Sequence, residues 1–258
     1  MKETEKRKDL VYGPVSSRRL GQSLGINLMP SHIKICPFNC VYCHCGWTEI
    51  LTDNIDKYVN LLPDIQTVEK FLEERLKELK ANNKNLNYIT FSGNGEGSLH
   101  PDFDNIIDLV TGLRNKYFPE AKTCILSNST ALNVPHSLKG IKKLDRKVMK
   151  LDGGSLDMIE LVNKPAEGIT FEKIIEGLGK LDFFTIQTNF FRGSISNAGK
   201  EAVEDWINTV GKLKPDEVMI YTVARPTADL EIKKIIEEEL AEIAKKTQKD
   251  TGIKTCAY

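Results

Sequence analysis

Four of the six cysteines in this 258-residue sequence fall between positions 36 and 45. The sequence starts with a charged run, and it contains no stretch of about 18 apolar residues of the kind that spans a membrane. In a chain without a secretion signal, cysteines this close together favour metal or catalytic chemistry over disulfide bonds. We therefore expect a cytoplasmic protein with a chemical site on this segment and no membrane partner.

The spacing of three of these cysteines suits an iron–sulfur cluster. Cys36, Cys40 and Cys43 are separated by four and three positions and directly follow a predicted strand. Three thiolates on one loop can each bind one iron of a cubane cluster, which leaves the fourth iron open to a substrate or cofactor. The alternatives are a zinc site completed by His44 or Cys45 and a chance grouping of surface cysteines. Zinc loops usually carry two separated ligand pairs, and the sequence has no second pair.

The other cysteines are expected to have no part in this chemistry. Cys45 is an extra thiol beside the trio, and we expect it to have no role. The other interpretations are that Cys45 is an alternative cluster ligand or that its thiol takes part in the reaction. Cys124 falls in a predicted strand and is expected to be a small buried hydrophobe. Cys256 is close to the carboxyl end, and it reaches the site only if the tail folds back.

A glycine-rich turn is the second motif with chemical potential. Residues 91–98 read Phe-Ser-Gly-Asn-Gly-Glu-Gly-Ser, which includes Gly93, Asn94, Gly95 and Glu96. Glycines let the backbone approach a ligand closely, and a single glutamate accepts hydrogen bonds from an ammonium group. The alternative is that this turn has only a geometric role between a strand and a helix.

Polar residues also follow several later predicted strands. Ser127 and Asn128 end one strand, and Lys150 and Asp152 end another; Gln187, Thr188 and Asn189 follow a third. In an α/β barrel these side chains point toward a common mouth, where ligands bind. Helix capping and loop hydrogen bonding are the alternative for each of them.

The elements that position these residues alternate along the chain. Short β-rich runs predict six strands, at 33–35, 86–91, 123–126, 147–151, 183–187 and 218–222. Apolar residues at helical spacing predict helices at 68–79, 103–113, 171–181, 203–213 and 230–243. Residues 16–27 indicate an ordered loop or a short strand. Alternating strands and helices imply parallel pairing, in a doubly wound sheet or a curved partial barrel, with ligands at the carboxyl ends of the strands.

The cysteine motif also resembles a known family. Cys36, Cys40, Tyr42 and Cys43 fill the pattern Cys-x-x-x-Cys-x-aromatic-Cys, which resembles the signature of the radical S-adenosylmethionine (SAM) superfamily. The resemblance implies a partial TIM-type (β/α)6 barrel of the α/β class over 31–258, with residues 1–30 as an extension packed on it. It also implies that the three cysteines hold a [4Fe–4S] cluster, that SAM binds its open iron, and that Tyr42 lies beside the adenine.

The same resemblance assigns further cofactor contacts. The 91–98 turn resembles the family's Gly-Gly-Glu motif, which meets the methionyl amino group of SAM, although Asn94-Gly95-Glu96 replaces the double glycine. By analogy, Asn128 and the Lys150/Asp152 pair are the expected contacts to the sugar and carboxylate of SAM. The expected cofactor-binding set is therefore Tyr42, Gly93, Asn94, Gly95, Glu96, Ser127, Asn128, Lys150 and Asp152.

Residues 13–21 and 24–27 resemble the opening of a radical SAM group related to wyosine-type tRNA-modifying enzymes. Those enzymes carry additional cysteines for a second cluster, and no cysteine precedes Cys36 here. We therefore do not transfer their substrate to this chain.

The function implied by the resemblance is reductive cleavage of SAM to a 5′-deoxyadenosyl radical, which abstracts hydrogen from an unidentified substrate. The expected partner is an electron donor such as flavodoxin or ferredoxin. The sequence has 36 basic and 36 acidic residues, so no global field attracts RNA, and we favour a peptide or protein substrate. A tRNA-modifying enzyme remains the alternative because residues 18–19 and 139–147 are basic. A non-catalytic iron–sulfur or zinc protein is the alternative of another class.

Overall fold

Eight strands form the main sheet of the computed structural model, which describes residues 9–258. Their order across the sheet is β1-β2-β5-β6-β7-β8-β10-β12. The bounds are Val11–Ser17 (β1), Gly21–Ile26 (β2), Tyr88–Phe91 (β5), Lys122–Ser127 (β6), Arg146–Lys150 (β7), Thr185–Asn189 (β8), Glu217–Tyr221 (β10) and Thr255–Ala257 (β12). Two small sheets pair Ile35–Cys36 (β3) with Ile50–Leu51 (β4), and Phe191–Arg192 (β9) with Lys233–Lys234 (β11).

The main sheet is parallel except at one edge. Every pairing from β2 to β12 is parallel, and only β1 runs antiparallel to its neighbour β2. The helices are Ile65–Ala81 (α1), Phe103–Tyr117 (α2), Pro135–Lys143 (α3), Leu156–Asn163 (α4), Phe171–Leu178 (α5), Lys200–Leu213 (α6) and Glu237–Thr251 (α7). Six parallel strands, β2, β5, β6, β7, β8 and β10, are each followed by a helix before the next, which is the predicted partial (β/α)6 barrel.

Local sequence explains why these helices form where they do. In α1 the buried residues Val68, Leu72 and Leu76 recur every fourth position, so they line one face against the sheet. Asp64 caps the helix because its carboxylate accepts a hydrogen bond from Thr67 N at 2.7 Å.

The predicted opening strand at 33–35 is wrong. Only Ile35 of that run lies in a strand, the two-residue β3, which belongs to a small separate sheet. The first parallel strand is β2, so the short-strand interpretation of residues 16–27 is the one that the structure supports. Gly25 in β2 obscured the strand in the sequence. A Cβ there would lie 2.1 Å from the Tyr12 ring, so the glycine makes room for that ring on the neighbouring strand.

The predicted helix over 230–243 is also partly wrong. The helix begins at Glu237, and the chain before it is irregular apart from the short strand β11. Leu230 is 83% exposed and Ile236 is 64% exposed, so these apolar residues do not extend the buried face of the helix. The division between residues 1–30 and 31–258 stays a prediction; the described part of the first segment supplies β1 and β2 to the sheet.

The two faces of the sheet have different neighbours. Met149 and Ile186 belong to the main hydrophobic core, which also includes buried residues of α1 to α7. The opposite face, which we call the inner face, carries a small cluster in which Leu20 packs with Cys124 and Val148. Cys124 is fully buried in β6, which confirms the prediction of a small buried hydrophobe.

Polar residues follow on the same inner face. Because side chains alternate along a strand, Lys150 in β7 points to the same side as Val148. Strand pairing places Gln187 of β8 beside Lys150, and Met219 of β10 beside Gln187. Within residues 9–258, the structure has no helix with the length and apolar character needed to cross a membrane.

Candidate functional site

The cysteine loop follows β3 and is fastened to the end of α4. Cys36 is buried at the end of β3, whereas Cys40 and Cys43 are partly exposed, and all three are free thiols. Val41 N donates to Val162 O at 3.0 Å, and Ala166 N donates to Pro37 O at 2.8 Å. These backbone bonds place the loop beside the last turn of α4 and the chain that follows.

Two asparagine side chains donate hydrogen bonds to cysteine sulfurs. Asn128, in the loop after β6, donates through Nδ2 to Cys36 Sγ at 3.6 Å. Asn163, the last residue of α4, donates to Cys40 Sγ at 3.2 Å. N–H donors of this kind stabilise sulfur that carries negative charge, which is how proteins tune iron–sulfur clusters.

The surroundings give the thiols different acidities. Burial raises the pKa of Cys36, and it raises the pKa of Cys40 to about 11. The hydrogen bond with the Cys45 thiol lowers the pKa of Cys43, and the nearby Lys34 ammonium lowers it further. The same bond raises the pKa of Cys45, because Cys45 is the donor of the pair. One thiol of the trio is therefore poised to ionise, and the other two need an electropositive partner.

The donor set fits a cubane cluster. Three free cysteine thiols lie on one loop, and two receive N–H hydrogen bonds from outside it. Residues 9–258 contain no group of three or more cysteine, histidine or acidic residues arranged around a single metal ion. Cubane ligands bind separate irons, so their sulfurs do not converge on one point as the ligands of a lone ion do.

The glycine-rich turn holds the cysteine loop against the main sheet. Gly95 forms a β-bridge with Ile35, and a Cβ on Gly95 would lie 2.0 Å from Ile35 O. Asn94 donates through Nδ2 to Pro30 O at 2.9 Å. Gly93 is equally tight, because a Cβ there would lie 2.3 Å from Asn27 Oδ1. Asn94 and both glycines therefore shape this turn against the chain at Asn27, Pro30 and Ile35, and their contact with a cofactor stays a prediction.

Glu96 is buried and bonded to its own surroundings. Its carboxylate accepts hydrogen bonds from Ser98 Oγ at 2.6 Å and from Asn128 N at 2.6 Å. Burial raises the pKa of Glu96, although these hydrogen bonds lower it. The hydrogen bond from Asn128 N to Glu96 fixes the loop after β6, and the Asn128 side chain reaches Cys36 from that loop. Ser127, on the preceding strand, accepts a hydrogen bond from Ser129 N at 3.1 Å.

A buried charge network joins the cysteine loop to the ends of β7 and β10. Lys150 Nζ forms an ion pair with Asp152 Oδ1 at 2.8 Å and donates to the Tyr221 hydroxyl at 3.0 Å. The Tyr42 hydroxyl donates to Asp152 Oδ2 at 2.5 Å, and Asn163 Nδ2 donates to the same oxygen at 3.0 Å. The Asp152 charge keeps the pKa of Lys150 raised in spite of burial. The structure thus brings Tyr42, Lys150 and Asp152 together, as the sequence predicted for residues of one site.

Tyr42 is held in place by aromatic and cationic neighbours. Its ring lies 5.6 Å from the Phe191 ring and 4.8 Å from Lys150 Nζ. Burial and the Asp152 charge raise its pKa, so it stays a hydroxyl donor. Arg225, in the loop after β10, is exposed.

Three asparagines support this network, and the sequence had named only Asn189 among them, as a polar residue that follows a predicted strand. Asn163 is the first of them and bonds Asp152 Oδ2, as given above. Asn189 N donates to Asp152 Oδ1 at 3.0 Å, and Asn197 Nδ2 donates to Asp152 O at 3.0 Å. Asn163 Oδ1 and Asn189 Oδ1 are buried without a hydrogen-bond partner in the described residues. Asn189 follows a predicted strand, which was the available signal, whereas Asn163 and Asn197 lie in contexts that give none.

Cys256 lies on a different part of the sheet. It is in β12, beside Met219, and its thiol contacts Glu217, the first residue of β10. Cys45 lies close to the glycine-rich turn, with its sulfur 3.8 Å from Gly93 O.

The chain was compared with family models and with known proteins, and one family model matches it. Residues 31–182 match the radical SAM superfamily. The chain is 34% identical over 245 residues to GTPase Obg of Brachyspira hyodysenteriae, which covers 92% of this chain and 33% of that protein. It is 28% identical over 217 residues to a UPF0026 protein of Synechocystis, covering 84% of this chain and 76% of that protein. The chain thus spans a third of the length of the first relative.

Solved structures share the fold. TYW1 with a lysine-pyruvate adduct bound superposes with a TM-score of 0.63 at 12% identity, covering 96% of this chain and 78% of that chain. SuiB of Streptococcus suis bound to its precursor peptide SuiA gives a TM-score of 0.62 at 15% identity, covering 91% and 48%. At these identities the likeness shows the fold alone. Because the family match covers more than half of the sequence, this chain belongs to the radical SAM superfamily.

Proposed function

We propose that this chain is a radical SAM enzyme whose Cys36, Cys40 and Cys43 hold a [4Fe–4S] cluster. Membership of the superfamily supports SAM-dependent radical chemistry. The observation that carries the finer proposal is the trio of free thiols on one loop, two of them bonded by asparagine N–H groups. When bound, the cluster and SAM supply a 5′-deoxyadenosyl radical that takes a hydrogen atom from the substrate.

The protein's own residues position the cofactors. We assign Asn128 and the Lys150/Asp152 pair to the sugar and carboxylate of SAM, and Tyr42 to the adenine. Tyr42 and Lys150 are already fixed by their bonds to Asp152, so their binding geometry is organised before a ligand arrives. The remaining assigned contacts are Gly93, Asn94, Gly95, Glu96 and Ser127.

We propose a peptide or protein substrate, with an electron donor such as flavodoxin or ferredoxin as partner. The support is the formal charge of zero, which gives RNA no general attraction to the chain. Modification of tRNA is the alternative outcome.

The test is anaerobic reconstitution with iron and sulfide, followed by SAM and a reductant. We expect on the order of four irons per chain and release of 5′-deoxyadenosine. Cys40→Ala should lose both. The control Cys124→Ala should retain both, because Cys124 is buried in β6 and is not part of the cysteine loop. Bound zinc without cleavage favours the zinc alternative, and a stable cluster without cleavage favours the non-catalytic iron–sulfur alternative.

A further inference from the structure

We propose that the inner face of the sheet binds an anionic group of the substrate, a carboxylate or a phosphate, through Arg19. This inference rests on the proposed function, since it assigns a substrate class to the same barrel.

Arg19 reaches the candidate site from the turn between β1 and β2. The next residue, Leu20, packs on the inner face against Cys124 and Val148. The Arg19 guanidinium lies 4.5 Å from the centre of the Tyr221 ring. Tyr221 is the last residue of β10 and bonds Lys150, so Arg19 lies at the edge of the network described above.

The charge of Arg19 is unbalanced. Its Nη1 atom is buried and has no hydrogen-bond partner in the part of the chain that the structure describes. No carboxylate within residues 9–258 forms an ion pair with it, whereas Lys150 is paired with Asp152 and Arg146 with Glu217. A buried N–H group without a hydrogen-bond acceptor is costly, and an anionic ligand that accepts from Nη1 removes that cost.

A second polar group lies on the same inner face. Gln187 is 4% exposed, and strand pairing places it beside Lys150 and Met219. Met219 lies two residues before Tyr221, the residue that Arg19 contacts. The Gln187 amide adds N–H donors to this face.

The orientation of Arg19 leaves it free to bind. The Tyr221 ring covers one side of the guanidinium, and Nη1 keeps a hydrogen that no described residue accepts. A planar guanidinium matches carboxylate and phosphate oxygens in a two-point contact. Arg18, the neighbouring residue in the same turn, is exposed and has no such surroundings.

Isothermal titration calorimetry of the 258-residue chain tests this site with simple probes. Sodium benzoate, benzamide and sodium phosphate are titrated at constant ionic strength, with and without SAM. The variants are Arg19→Gln, Arg19→Lys and the matched control Arg18→Gln. Melting curves by circular dichroism establish that each variant is folded.

We expect the wild type and Arg18→Gln to bind an anion but not benzamide, with SAM present or absent. Arg19→Gln should lose about tenfold or more of that affinity, because a charge-assisted contact is removed, and Arg19→Lys should keep part of it. Binding of benzoate alone identifies a carboxylate, and binding of phosphate alone identifies a phosphate.

Three results overturn the inference: benzamide binds as tightly as benzoate, Arg19→Gln binds like the wild type, or SAM displaces the anion, which assigns the site to the SAM carboxylate. A wild type that cleaves SAM but binds neither anion contradicts this inference alone. Arg19-dependent binding without SAM cleavage contradicts the proposed function alone.

Discussion

At the scale of single residues, the candidate site depends on hydrogen bonds that reach sulfur from distant parts of the chain. Asn163 is 123 positions from Cys40, and Asn128 is 92 positions from Cys36. Both asparagines are held by other contacts, Asn163 by Asp152 and Asn128 by Glu96. The sulfur environment is therefore built by the folded barrel, and the cysteine loop alone does not provide it.

Removal of one such donor should change the electron affinity of the reconstituted cluster. Asn163→Ala deletes the N–H contact to Cys40 and leaves the three thiols. Because one hydrogen bond contributes about 0.5–1.5 kcal/mol, we expect the midpoint potential to become more negative by roughly 20–60 mV. The measurement is a redox titration followed by electron paramagnetic resonance (EPR). Asn105→Ala, a substitution at an exposed position, is the control and should keep the wild-type potential. If Asn163→Ala has the same midpoint potential as this control, the Asn163 hydrogen bond does not tune the cluster.

The burial of Glu96 predicts a pH-dependent effect on stability. Its pKa is raised in the folded state, so the native state holds the proton more tightly than the unfolded chain does. The stability that this carboxyl contributes is fully present below its unfolded pKa and is lost as the pH rises through the folded pKa. Relative to Glu96→Gln, the wild type should therefore lose free energy of unfolding as the pH rises above about 4, where an unperturbed glutamate ionises.

Urea unfolding of the wild type and of Glu96→Gln across this pH range measures the difference between their free energies of unfolding. The other titrating groups contribute equally to both proteins, so their contributions cancel in the difference. Glu120→Gln changes an exposed glutamate and should give a difference that does not vary with pH. If the difference between the wild type and Glu96→Gln is also independent of pH, burial does not raise the pKa of Glu96.

At the scale of elements, the glycine-rich turn connects the small sheet of the cysteine loop to the main sheet. Gly95 has a φ of +115° and touches Ile35 O, so a side chain there is excluded on both grounds. Gly95→Ala should lower the free energy of unfolding by about 2–4 kcal/mol. The control Gly112→Ala lies on the exposed side of α2 with open space around it and should raise stability by about 0.5–1 kcal/mol. Equal melting temperatures for the two variants would contradict this role of the turn.

Periodicity predicted most of the elements and failed where tertiary contacts decide. The strands β5, β6, β7, β8 and β10 and the helix α6 all lie where apolar patterns indicated. β2 was ambiguous because Gly25 is explained only by a tyrosine on the neighbouring strand. The start of α7 was misplaced because apolar Leu230 and Ile236 are exposed, which periodicity cannot show.

The sequence also predicted part of the candidate site and missed the rest. Strand-end reasoning placed Lys150 and Asp152 in one site, because the carboxyl ends of parallel strands meet, and the resemblance of the cysteine motif added Tyr42. Asn163 and Arg19 were not identified as site residues, since one lies in a helix and the other in a turn before the first parallel strand. Their positions depend on how the barrel curves, and no local pattern encodes that.

At the scale of the whole molecule, the balance of 36 basic and 36 acidic residues bears on the substrate class. Affinity for nucleic acid comes largely from neutralised phosphates and depends steeply on salt. We expect bulk tRNA to bind more weakly than about 10⁻⁴ M at ~0.15 M salt in fluorescence anisotropy. Tighter binding with a steep salt dependence would favour the tRNA-modifying alternative.

The arrangement of the barrel concentrates its chemistry at one end. The cysteine loop, the Lys150–Asp152 pair and Tyr221 meet where β7 and β10 end. Arg19 contacts Tyr221 from the β1–β2 turn, which precedes β2 at the amino end of the parallel strands. The central claim is that the three cysteines leave one iron of a cubane cluster open to SAM.

The EPR spectrum of the anaerobically reconstituted and reduced wild-type protein, recorded before and after addition of SAM, tests this claim most directly. We predict the signal of a reduced [4Fe–4S] cluster whose g-values change when SAM is added, because SAM binds the open iron. A cluster signal that SAM leaves unchanged, or no cluster signal at all, would contradict the account.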